Sequence, residues 1–163
     1  MVKFNKILST AVPLPIENIT TNQIIPAQFL KTSTREGLEK KLFKDWRYHN
    51  DGSVNDDFIL NKDAYFGKIL ITGNNFGCGK NHKNAIWAIH DYGFRVVISS
   101  SFNNNFKYNS LNNNILPAQI SKGFLQTLLK ITTSDPKSLI LVDFEEQIVT
   151  LKDTNQSEKF EIN

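Results

Sequence analysis

Between positions 73 and 84 the chain reads Gly-Asn-Asn-Phe-Gly-Cys-Gly-Lys-Asn-His-Lys-Asn, and most of its candidate chemistry is gathered there. Gly77 and Gly79 permit positive φ and let a ligand approach the backbone closely. Lys80 and Lys83 make the segment cationic, and His82 between them titrates near neutral pH. This combination suits a small anion. His82, or Lys80 with a lowered pKa, could also act as a general base. Asn81 has no ionisable proton to exchange, and its plain role is to cap a helix. Cys78 is the one cysteine of the chain. A helix start and nearby lysines would lower its pKa, but between two glycines a packing role is the simpler reading. Two nucleotide-binding patterns fail here. A Walker loop needs Gly-Lys-Ser/Thr, whereas Gly79-Lys80 is followed by Asn81 and the leading glycine falls on Asn74. A dinucleotide fingerprint starting at Gly77 needs a small residue where His82 stands. His90 has no second ligand type at metal-binding spacing. Arg35 and Arg47 are either carboxylate clamps or partners in structural ion pairs.

The elements around this loop are legible in the pattern. Lys68–Thr72 is an apolar, β-branched run and reads as a buried strand. Ala85, Ala88, Ile89 and Tyr92 recur at i, i+3, i+4 and i+7, one face of a helix, and Gly93 follows as its stop. Arg95–Ser100 is a second buried strand. Together they predict a parallel β-α-β unit with a right-handed crossover. The loop leaving its first strand then lies at the carboxyl edge of the sheet, where ligands bind. The amides of the helix's first turn favour an anion there. Upstream, Phe4–Leu14 reads as one edge strand ending at Pro13 and Pro15. Asn18–Pro26 reads as an Asx-rich turn before a short helix. Gln28–Arg47 reads as loop then helix, with a break at Gly37, and Tyr48–Asp57 as a solvent loop that exposes His49. Downstream, Phe102, Phe106 and Tyr108 are expected to pack under a short helix or loop in the asparagine-rich Ser101–Asn114. Ile115–Ile120 reads as a strand, Gly123–Ile131 as a helix, and Ser138–Phe144 and Gln147–Leu151 as strands joined at Glu145-Glu146. Lys159–Ile162 is the expected last strand.

The 163 residues fit one domain, residues 1–163, and 40% hydrophobic with 21% charged residues is ordinary for a globular protein. No apolar run reaches the roughly 20 residues of a membrane helix, so no membrane role is expected. The first ten residues lack a signal-peptide core, which points to the cytoplasm. One cysteine excludes an internal disulfide, and it cannot hold an iron–sulfur cluster, which needs about three or four thiolates. The net charge is +3, with sixteen lysines to three arginines and nineteen asparagines. That bias follows an A+T-rich codon supply. The lysines are scattered rather than clustered, so no nucleic acid is expected as a partner.

The run Asn75-Phe76-Gly77-Cys78-Gly79, with Trp87-Ala88 and Asp91-Tyr92-Gly93-Phe94 in the helix after it, resembles the small subunit of 3-isopropylmalate dehydratase, a relative of aconitase. Further matches follow in that family's order: Val12-Pro13-Leu14, Ile24-Ile25-Pro26, Gln28-Phe29-Leu30, Phe43–Arg47, Asp57–Asn61, and Leu111-Asn112-Asn113 with Leu116-Pro117. The resemblance implies a three-layer β/β/α swivelling domain. It implies a hydro-lyase that interconverts 2-isopropylmalate and 3-isopropylmalate in leucine biosynthesis. It also implies a hydroxy-diacid substrate and a large-subunit partner that carries the 4Fe-4S cluster.

The family continues its glycine loop as Ser-Ser-Arg-Glu-His-Ala. This chain has Lys80, Asn81, His82, Lys83, Asn84 and Ala85 at those positions. By position the family's base serine falls on Asn81 and its carboxylate-binding arginine on His82, which lacks the bidentate fork. Gly77, Gly79, Lys80 and Lys83 are the expected substrate-binding residues. Phe29–Gly37 falls where the family senses the substrate's side chain, and Asn112 and Asn113 where it has a structural pair near the cleft. Thr20 and Asn22 stand where relatives carry aspartates. Relatives usually continue for a few dozen residues beyond the position of Asn163. Two alternatives remain: a degenerate subunit that stabilises the large subunit without catalysis, and a small-anion-binding module.

Overall fold

The computed structural model describes residues 5–80 and 82–162. Its strands are β1 (Lys6–Ser9), β2 (Ala11–Leu14), β3 (Ile69–Thr72), β4 (Val96–Ser99), β5 (Leu116–Gln119), β6 (Ile140–Asp143), β7 (Ile148–Leu151) and β8 (Gln156–Lys159). The helices are α1 (Thr21–Ile24), α2 (Lys44–Arg47), α3 (His82–Tyr92), α4 (Asn104–Asn112) and α5 (Lys122–Ser134). β2, β3, β4 and β5 form a parallel sheet in that order, with Ile69 opposite both Ala11 and Val96. β1, β6, β7 and β8 form an antiparallel sheet.

Side-chain alternation builds the layers. β3 and β4 are buried at every position, as strands covered on both faces must be. Leu70 and Val97 point to one face, which α3 covers through Ala85, Ile86, Ala88 and Ile89. Ile69, Ile71, Val96 and Ile98 point to the other, which meets Leu125, Leu128 and Leu129 of α5 and Ile140, Val142, Val149 and Leu151 of the antiparallel sheet. Helix, parallel sheet and antiparallel sheet are therefore stacked as a β/β/α sandwich. The expected β-α-β unit is present as β3–α3–β4, with α3 starting at His82 rather than near Ala85.

Three expectations need correction. Phe4–Leu14 is not one strand: its described part divides at Thr10 into β1 and β2, which belong to different sheets. β1 is only half covered, as suits the edge of a solvated antiparallel sheet, whereas β2 is wholly buried. Among the described residues β2 has β3 as its only strand neighbour, and this edge place accommodates Pro13. The last strand is Gln156–Lys159, not Lys159–Ile162; after it Phe160 turns into the core and Glu161 bridges to Gln119. Tyr108 does not pack inward. Phe106 and Ser110 face the core at i and i+4 of α4, and Tyr108 between them is 70% exposed.

The polar turns hold the short helices. Thr20 caps α1 and Gln23 returns the bond in a capping box. Asn103 and Ser121 cap α4 and α5. The stretch with asparagines at 103–105 is thus partly a helix cap.

Candidate functional site

The loop after β3 lies at the carboxyl edge of the parallel sheet, and neighbouring chain grips it on two sides. Gly77 N–H and Cys78 N–H donate to Ile19 O at 2.9 and 3.2 Å, and Thr21 N–H donates to Cys78 O at 2.8 Å. On the other side Phe76 N–H donates to Ser101 O at 3.1 Å, and Ser101 Oγ–H to Asn74 Oδ1 at 2.6 Å. Gly77 and Gly79 have φ of 85° and 111°, so the positive-φ expectation holds. The space beside them is filled by the chain itself. A Cβ at Gly77 would stand 2.4 Å from Phe106 Cγ, and one at Gly79 2.9 Å from Thr21 Oγ1. The glycines are needed for close packing of the loop, and the Gly77 N–H is already spent within the chain.

Lys80 is exposed at the loop's end, with its carbonyl accepting from Thr21 Oγ1 at 2.8 Å. Asn81 lies outside the described residues. His82 is 7% exposed. Its ring meets Phe106 edge-on at 6.2 Å, and its Nε2 is buried with no hydrogen-bond partner. Burial pushes its pKa below the ordinary histidine value, against hydrogen bonding to the Gly77 and Gly79 backbone, which pulls the other way. At neutral pH the ring is therefore mainly neutral, which is the wrong state for a carboxylate clamp. Lys83 is exposed on α3, with its ammonium 4.6 Å from the centroid of the Trp87 ring.

Sequence reasoning missed Asn84. The residue is 5% exposed, and its carboxamide donates to Phe29 O and Thr32 O, both at 2.9 Å. The available signal was its position four residues before Ala88, on the buried stripe of the helix. Arg35 is a structural ion-pair partner. Nε and Nη2 donate to Asp91 Oδ2 and Oδ1 at 2.8 and 2.7 Å, and the guanidinium lies over Trp87 at 5.2 Å. This pairing holds the Asp91 carboxyl below its usual pKa and raises that of Arg35. His90 Nδ1 stands 3.1 Å from Asp91 Oδ1 in the same group. A cleft of about 710 Å³ opens here, but Arg35 and Asp91 in its wall are satisfied by each other. Arg47 is a brace: Nη1 donates to Glu39 O and Leu42 O, and the guanidinium lies against the Tyr48 and Tyr92 rings.

Cys78 is half-buried and its thiol lies 3.3 Å from Asn75 O, to which it donates. Asn113 accepts from Trp87 Nε1 at 3.1 Å, which ties α4 to α3, while Asn112 and His49 are exposed. Among the described residues, no group of three or more His, Cys, Asp or Glu could hold a metal ion, and no helix is long and apolar enough to cross a membrane.

Comparison with known proteins supplies the relatives of this arrangement. The aconitase C-terminal domain family matches residues 1–123. The chain is 49% identical over 163 residues to the 3-isopropylmalate dehydratase small subunit of Cytophaga hutchinsonii, across 100% of this chain and 81% of that protein. It is 48% identical over 164 residues to the small subunit of Azobacteroides pseudotrichonymphae, across 100% and 83%. The Karelsulcia muelleri small subunit is 49% identical over 163 residues, with the same coverage. Among solved structures, 3-isopropylmalate dehydratase (leuD) from Methanocaldococcus jannaschii superposes with a TM-score of 0.67, over 96% of this chain and 81% of that one. At 23% identity that likeness supports the fold.

Proposed function

Since this chain belongs to the 3-isopropylmalate dehydratase small-subunit family, we propose that it works as that subunit, in the cytoplasm, with residues 1–163 as one swivelling domain. The reaction is the interconversion of 2- and 3-isopropylmalate by dehydration and rehydration in leucine biosynthesis, carried out with a large subunit. The observation that carries this reading is identity near one half along the whole chain, with a glycine loop at the carboxyl edge of the parallel sheet.

The reaction needs a base beside a carboxylate-bearing carbon, a Lewis acid for the hydroxyl, and cationic groups for the carboxylates. The residues present do not fit a 4Fe-4S cluster, because the chain has a single thiol and Cys78 is turned toward Asn75 O. The cluster belongs to the large subunit in this reading. This chain contributes the mouth of the loop: Lys80 and the first turn of α3 receive a carboxylate. Lys83 adds positive charge beside them. Gly77 and Gly79 act through the shape of the loop.

The altered residues lower the rate. A positioned base contributes roughly 10²–10⁴-fold, and Asn81 cannot serve as one. A neutral, buried His82 does not replace an arginine fork. With a competent large subunit the natural chain is expected to turn over at least about a hundredfold more slowly than a relative with Ser-Ser-Arg in the loop. The combined replacement Lys80→Ser, Asn81→Ser, His82→Arg, Lys83→Glu and Asn84→His should raise the rate. Steady-state kinetics of both versions with one large subunit is the test. Turnover by neither version contradicts the reading, and ordinary turnover by the natural chain moves the base to Lys80 or His82. The family's degenerate form is favoured by Asn81 and the buried His82; it predicts a heteromer that is silent until the loop is replaced.

A further inference from the structure

Between Leu30 and Leu38 the sequence holds no apolar side chain, and residues 31–37 are exposed or half-exposed. Fixing such a segment costs backbone entropy at every residue, and no buried side chain within it offsets the cost. It is nevertheless fastened to α3 at both ends. At the near end the Asn84 carboxamide donates to Phe29 O and Thr32 O, both at 2.9 Å. At the far end Arg35 makes its two-pronged pair with Asp91 and lies over the Trp87 ring. Asn84, Trp87 and Asp91 stand at i, i+3 and i+7 and so form one stripe of the helix. The segment therefore runs as a strap along α3, from its first turn to its last. Its near end is bound at Asn84, two positions after His82, in the first turn of the helix that the proposed function uses. Short turn bonds stiffen it on the way: Thr32 Oγ–H donates to Phe29 O and Thr34 O, each at 3.3 Å.

We propose that Asn84 and the Arg35–Asp91 pair are positioning residues that hold Phe29–Arg35 against α3 as one wall of the substrate site. They do not touch the reacting atoms. Their loss lets the wall move, so substrate is held less tightly while the chemical step is little changed. This rests on the dehydratase reading above.

The test uses the full chain in complex with a large subunit. The variants are Asn84→Leu, Arg35→Asp, Asp91→Arg and the charge swap Arg35→Asp/Asp91→Arg. Each single change should speed amide exchange in residues 29–37 by about tenfold or more. It should raise KM for 3-isopropylmalate about tenfold with kcat within about threefold. The swap should return both values toward those of the natural chain, which separates lost positioning from lost folding. Added 3-isopropylmalate should slow exchange at 29–37 in the natural complex and not in the single variants. Unchanged exchange in the single variants overturns the fastening. Faster exchange with unchanged KM and unchanged ligand protection overturns the positioning role, as does absence of ligand protection in the natural complex. Protection without turnover supports the wall and counts against the dehydratase reaction, so the two failures are distinct.

Discussion

His82 is the residue whose type and surroundings agree least. A histidine next to lysines in a polar stretch invites a role as acid, base or anion ligand. The fold buries the ring against Phe106 and leaves Nε2 without a partner. A buried polar atom left unpaired costs about 1–3 kcal/mol, so replacement by an apolar residue of similar reach is expected to be tolerated. The pH dependence follows from the lowered folded-state pKa. The unfolded ring titrates near about 6.5. Below that pH the unfolded state binds a proton that the folded state refuses. Stability contributed by neutral His82 is therefore fully present above about pH 6.5 and is lost as the pH falls through the lower folded value. Denaturant midpoints of the natural chain should decline across that window, and those of His82→Leu should decline less. Equal slopes would show that His82 is not the group responsible.

At the scale of the element, the glycine loop is built by its neighbours. The Gly77 position opens onto the Phe106 ring, which the Phe76 ring meets edge-on at 5.1 Å and the Phe102 ring stacks on at 6.1 Å. That ring cannot retreat without disturbing the aromatic cluster. Gly77→Ala should therefore lower unfolding free energy by about 1–3 kcal/mol from overpacking, with left-handed strain added. Gly123, in the first turn of α5, has no positive φ and nothing near its Cβ position. Gly123→Ala should be neutral or should stabilise by up to about 1 kcal/mol through helix propensity. Urea unfolding of the two variants side by side decides the matter. A similar small effect at both positions would contradict the close packing of the loop. The asparagine-rich stretch repeats the lesson that composition understates role, because Asn103 starts α4 and Asn113 ties its end to Trp87.

At the scale of the whole molecule, the parallel sheet is shielded on both faces, and the glycine loop and the strap converge on the start of α3. A chain with a single thiol cannot itself hold an iron–sulfur cluster and should be inactive by itself. Purified alone, it should give no turnover of isopropylmalate above background. Co-expressed with a cluster-bearing large subunit, it should form a heteromer whose mass light scattering resolves at micromolar concentration. Turnover by the isolated chain, or failure to associate, would each count against the proposed assembly.

The sequence by itself determined the centre of this protein. Strands covered on both faces show as unbroken apolar runs, and a helix lying on them shows as a 3.6-residue stripe. Both are local signals, so β3, α3, β4 and the loop between them were legible from residues 68–100. The family motif along the chain made the overall architecture and the expected partner legible as well. Local signals report that a residue is covered, not what covers it. The division of one apolar run into β1 and β2, the placement of β8 and the outward turn of Tyr108 depend on partners distant in sequence. So does the site. Arg35 meets Asp91 across 56 positions and Asn84 meets Phe29 across 55, and the burial of His82 follows from where α4 sets Phe106. Tertiary packing decided that the histidine of the loop is a neutral, enclosed ring and that its neighbour Asn84 fastens the strap.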